Sequence, residues 1–108
     1  MIHALKIKPK FFEAAVSGKK TFEVRRNDRN FREGSFIALN EYDNEIMDGI
    51  TNESERYTGR SALFRISYIL DNTEYCKEGY VVLGIKPCFI ESERSGEITT
   101  NYGQEGVQ

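Results

Sequence analysis

The chain has 108 residues, 39% hydrophobic and 30% charged, with 15 lysines and arginines against 17 acids and a formal net charge of −2. That size and mix describe one folded domain able to bury a core, and they exclude a mainly disordered chain. With no long apolar run and no apolar leader, neither a membrane-spanning helix nor a secretory signal is expected, and the cytoplasm is the expected compartment.

In chain order, "IHALKIK" alternates, with His3, Leu5 and Ile7 on one side and Lys6 and Lys8 on the other, which is the period of a half-buried strand. Pro9 then suits the first turn of a helix, where its missing N–H costs nothing. In "PKFFEAAVSG", Phe11 falls over Ala15 and Phe12 over Val16 at helical spacing, and Gly18 supplies a stop. Lys19 and Lys20 follow at the negative end of the helix dipole. "TFEVR" alternates again, Phe22 and Val24 opposing Thr21, Glu23 and Arg25, and its β-branched and aromatic content favours a strand. "NDRNFREG" is turn chemistry and "SFIALNEY" the next strand. Residues 43–60 read as a polar loop with Gly49 and Gly59 as breakers. "SALFRISYIL" is the clearest strand, with Ala62, Phe64, Ile66, Tyr68 and Leu70 all expected on one face. "GYVVLGIK", after a polar connection over 71–79, is a nearly continuous apolar run expected to be buried on both sides. "FI", after Pro87 and Cys88, extends to a strand edge.

About five strands and one early helix, with glycine-containing turns, predict an α+β, mainly β fold: a small, strongly bent sheet or barrel that the helix plugs or flanks. His3, the one histidine, is expected to be a packed strand residue. Cys76 and Cys88 have no metal-ligand spacing around them and read as reduced, buried thiols. No metal and no cofactor is expected, and a monomer is the favoured state.

Residues 1–32 hold nine lysines and arginines against three acids, whereas residues 33–108 hold six against fourteen. The excess concentrates in "SGKKTFEVRRNDRNFREG", residues 17–34. Such an asymmetry gives either one basic surface that steers an anion or a basic part that pairs with the acidic part of the same fold. On a strand, Glu23 and Arg25 project to the same side, with Lys20 close to its start. A carboxylate between two cations orients both. The trio can grip a phosphate or a polar base edge, or do chemistry with Lys20 as nucleophile or base and Glu23 as proton carrier. A surface ion-pair ladder of little energetic weight is the plainer account.

The spacing Gly18-x-Lys20-x-x-Glu23-x-Arg25 resembles the signature of ASCH domains (activating signal cointegrator homology), a branch of the PUA-like folds. "RRNDRNFREGSFIALNEYD", "YTGR" at 57–60 and "EGYVVLGI" at 78–85 resemble, in the same order, blocks of a small bacterial and phage-associated ASCH-like subfamily of uncharacterised proteins. The likeness covers residues 1–90. It implies a PUA-like β-barrel of about five to six strands with the early helix against it, and leaves residues 91–108 as a polar C-terminal tail expected to be flexible. It also implies a cleft between barrel and helix that binds RNA or a nucleotide-like ligand, lined by Lys20, Glu23 and Arg25. By the same likeness Arg60 is expected as an additional cleft or rim contact; Arg26 and Arg29 fall in a subfamily block without an established role and, with Arg32, are expected as an electrostatic rim. Asn27 and Asp28 hold the turn.

A related ASCH branch contains bacterial amidohydrolases that deacetylate N4-acetylcytidine with the motif lysine, a threonine and a separate glutamate. Here Glu23 stands where that threonine would be, Thr21 occupies another motif position, and the separate acid is open between Glu74 and Glu78. Other ASCH proteins are ribonucleases, which would call on Lys20 and Glu23 as an acid–base pair. Four readings follow: an RNA-binding module with Phe31, Tyr42 or Tyr57 stacking on a base; a hydrolase acting on RNA or a modified nucleoside through Lys20 and Glu23; a cleft for a nucleotide-like ligand without chemistry; and a protein-interaction module using the acidic face. Binding of RNA or a nucleotide is the leading expectation.

Overall fold

The structure, a computed structural model, describes residues 1–46, 49–88, 90–91 and 98–99. It is mainly β, with one short helix early in the chain. β1 (Ile2–Ile7) leads into α1 (Pro9–Val16), followed by β2 (Phe22–Arg26), β3 (Phe36–Tyr42), a 3-10 turn at Glu53–Arg56, β4 (Tyr57–Leu70) and β5 (Tyr80–Pro87). Five strands form one curled, half-barrel sheet in the order β1-β3-β4-β5-β2. β1 runs parallel to β3, and the other neighbours are antiparallel. A two-residue pair, β6 (Ile90–Glu91) with β7 (Ile98–Thr99), stands apart from this sheet. The rest of the expected tail lies outside the described residues.

Alternation sets the core. Leu5 and Ile7 of β1, Ile37 and Leu39 of β3, Ala62, Phe64 and Ile66 of β4, and Val81, Leu83 and Ile85 of β5 all face inward. The buried side of α1, Phe12, Ala15 and Val16, closes over them. Helix periodicity fits either phenylalanine, but only Phe12 enters the core, and Phe11 stays 40% exposed. His3 is buried as expected, its ring edge-on to Phe31 at 4.9 Å. Cys76 is a buried thiol whose Sγ lies 3.4 Å from the Leu70 carbonyl, and Cys88 is half-buried.

Three expectations need correction. β4 begins at Tyr57, inside the segment read as loop, because Tyr57 pairs with Tyr42 and packs edge-on against its ring at 5.0 Å. Its inward face is continuous only to Ile66. A bulge at Ser67, where Ile66 faces Ile85 but Tyr68 faces Gly84, turns Tyr68 outward and Ile69 onto the core. β5 is not buried on both sides either: Tyr80, Val82 and Gly84 alternate with the core residues and remain half-exposed on the outer face.

Candidate functional site

β1 and β2 are the two edges of the curled sheet, and the candidate site lies along the seam between them. The helix end positions its first residue. Gly18 takes φ +86°, which an L side chain adopts only under strain, and the Lys20 amide returns to the Ala14 carbonyl at 2.9 Å. Lys20 therefore leaves the helix pointing at the start of β2.

β2 is inverted relative to hydrophobicity. Phe22 and Val24 face outward, 45% and 53% exposed, while Glu23 faces inward opposite Leu83 and is 3% exposed. Counter-charge makes this tolerable. Lys20 Nζ donates to Glu23 Oε2 and, at 2.7 Å, to the Phe22 carbonyl, while Arg25 Nε donates to Glu23 Oε1 at 3.1 Å. A buried carboxylate persists when its oxygens are paired and hydrogen-bonded. The ammonium has three N–H groups, so two acceptors leave one for a ligand.

The seam itself is bridged by guanidinium groups. Arg25 Nη2 donates to the Lys6 carbonyl at 2.8 Å and Arg29 Nη1 to the Ala4 carbonyl at 2.9 Å, both on the unpaired edge of β1. Above this bridge lies a cleft of about 470 Å³. Among the described residues lining it, Glu23 is the one acid against Lys6, Lys8, Lys20, Arg25 and Arg26. Its apolar wall includes Phe11 from α1 and Phe22 from β2, with ring centroids 5.8 and 5.2 Å from the Lys20 nitrogen.

The fold thus brings Lys20, Glu23, Arg25 and Arg26 to one cleft. Arg29 bonds β1 and does not line it. Arg60 does not line it either: its Nη1 donates to Glu13 at 2.7 Å, sits 3.8 Å from the buried Glu41, and its guanidinium covers the Phe12 ring at 4.8 Å. Of the stacking residues named from sequence, Phe31 is core, and Tyr42 and Tyr57 pack on each other, with the Tyr42 hydroxyl on Glu53. Glu74 and Glu78 lie in the 71–79 connection and do not line the cleft. Sequence reasoning missed Phe11, Phe22 and Lys8 as cleft residues. The alternation of β2 did separate Phe22 from Glu23, but alternation alone does not say which face turns inward.

A described protein family, "Domain of unknown function (DUF3850)", matches residues 2–85. The chain is also 33% identical over 82 residues to the "Uncharacterized 12.9 kDa protein in GpA 3'region" of Escherichia phage P2, a match covering 76% of this chain and 65% of that protein's length. The chain spans less than two thirds of that relative. The family match takes in β1, α1, β2, β3, β4 and β5 as far as Ile85, the seam cleft included. With that coverage, the chain belongs to the DUF3850 family.

Proposed function

We propose that the seam cleft binds RNA or a nucleotide-like ligand. The observation behind this reading is the pairing of two exposed phenyl rings, Phe11 and Phe22, with a cationic wall organised by one buried carboxylate. A base has a π face for the rings and a phosphate for the cations, and this combination recurs in single-strand recognition. The resemblance of Gly18-x-Lys20-x-x-Glu23-x-Arg25 to the ASCH signature supports the same reading.

The test is a titration of a short labelled single-stranded RNA at two salt concentrations, with nucleosides in parallel. Lys20→Ala/Arg25→Ala is expected to abolish binding. Phe11→Ala and Phe22→Ala are each expected to cost about 1–3 kcal/mol if their ring stacks on a base. No binding of RNA or nucleoside at low salt overturns the proposal.

The direct contact between Lys20 and Glu23 in the cleft favours a second reading, a hydrolase acting on RNA or a modified nucleoside. It requires products, either cleaved RNA or deacetylated cytidine, that disappear in Lys20→Ala while the fold persists. Binding without products leaves the first reading alone.

A further inference from the structure

The inversion of β2 turns outward a face that the cleft uses only in part. Outward-facing Val24 and Arg26 are in register with Val82 and Tyr80 of β5. The 71–79 connection rises beside them, tied by the Asn27 amide to the Gly79 carbonyl at 2.8 Å and by the Cys76 thiol to Leu70. Together they wall a groove of about 480 Å³ lined by Val24, Tyr75, Cys76, Lys77, Tyr80 and Val82.

This groove continues the cleft. Val24 lines both, and Arg26, a cleft residue, lies 5.1 Å over the Tyr80 ring and donates to its hydroxyl at 3.2 Å. Lys77 reaches the same ring at 5.4 Å. Among the described lining residues Lys77 is the one charged group, with Glu74 and Glu78 of the same connection outside the lining, so the groove itself presents aromatic and aliphatic surface between Lys77 and Arg26. Tyr75 is 74% exposed, an open aromatic face. A groove of this charge suits a polyanion carrying flat apolar groups better than an acidic or aliphatic protein segment.

We propose that the groove is a second nucleotide subsite, so that the ligand is a single-stranded oligonucleotide leaving the seam cleft across the outer face of β2 and β5. One base packs against Tyr75, Val24 and Val82, and the phosphate between the two subsites is held by Arg26 and Lys77. This rests on the reading of the cleft as a nucleotide site.

The experiment compares the affinity of a ribonucleoside monophosphate with that of the corresponding trinucleotide. It uses the wild type, Tyr75→Ala/Lys77→Ala and the cleft variant Phe11→Ala/Lys20→Ala, with each fold checked by circular dichroism. Tyr75 and Lys77 are exposed, so their removal spares the core. One added stacked base is expected to raise wild-type affinity at least about fivefold from mono- to trinucleotide, and the groove variant is expected to lose most of that gain. Equal affinity for both lengths in the wild type, or a gain retained by the groove variant, overturns the second subsite while the cleft reading stands. No binding of either length at low salt overturns the cleft reading and the groove with it.

Discussion

Glu23 faces the sheet interior beside Leu83, and its two oxygens are held by Lys20 and Arg25, whose side chains are 17% and 22% exposed. Removing the carboxylate leaves two cations without their counter-charge. Breaking such a pair costs about 3–5 kcal/mol at full burial; with cations that reach water, Glu23→Ala is expected to cost about 2–3 kcal/mol. The loss is read from the urea midpoint at unchanged slope. An unaltered midpoint would show that the trio is held by something else. His3 gives a second expectation. Its Nε2 has no hydrogen-bond partner among the described residues, and burial holds its pKa below the ordinary 6.5, with Arg29 and the N-terminal amine acting in the same direction. The unfolded chain therefore takes up the proton first. This part of the stability is complete above about pH 6.5 and is lost as pH falls through the lower folded value. His3→Leu is expected to flatten that acid limb in urea titrations at stepped pH, and a limb that persists belongs to other groups.

Elements with their own period and stop signals were legible from sequence. β1, α1 and β3 fall within a residue or two of their expected bounds because proline, glycine and alternation mark them locally. The trio of Lys20, Glu23 and Arg25 was legible, but the orientation of β2 was not, since which face turns inward depends on Leu83 of β5 opposite Glu23 and on the β1 carbonyls that receive Arg25 and Arg29, which only the closed sheet supplies. The bulge in β4 was hidden for a similar reason. Five apolar residues at alternate positions up to Leu70 fit a straight strand equally well, and the extra residue, Ser67, is defined only by β5 across from it. Gly84 fits this bulge: a Cβ there would lie 3.1 Å from Ser67 Oγ and 3.5 Å from Tyr68 Cβ. Gly84→Ala is expected to destabilise by about 1–2 kcal/mol, lowering the melting temperature by roughly 4–8 °C per kcal/mol in a domain of this size. A melting temperature equal to wild type would mean that Ser67 turns aside without cost.

At the scale of the whole molecule, the basic excess of residues 1–32 proves to be divided among several duties. Arg25 and Arg29 bond β1, Lys6 pairs with Glu53, Arg26 leans on Tyr80, and Lys20 is shared between Glu23 and the cleft. Lys8 lines the cleft without an acidic partner among the described residues. The charge asymmetry visible in the sequence therefore overstates the surface available to an anion. Six phosphate contacts would give a slope of about −4 in log affinity against log salt, and three, through Lys8, Lys20 and Arg26, about −2. The shallower slope is the expected result of the RNA titration.

The bridged seam also occupies the free edge of β1. An unpaired strand edge is a template on which another chain can add a strand. The Ala4 and Lys6 carbonyls, the acceptors such a strand would seek, already receive the Arg29 and Arg25 guanidiniums. Arg25→Ala/Arg29→Ala bares that edge. Concentration-dependent self-association, seen as a rise in light scattering below the melting transition, is the expected result, and a variant that stays monodisperse would show that the edge is shielded by other means. The same arginines that make the seam cationic would then also keep the sheet from growing beyond its own strands.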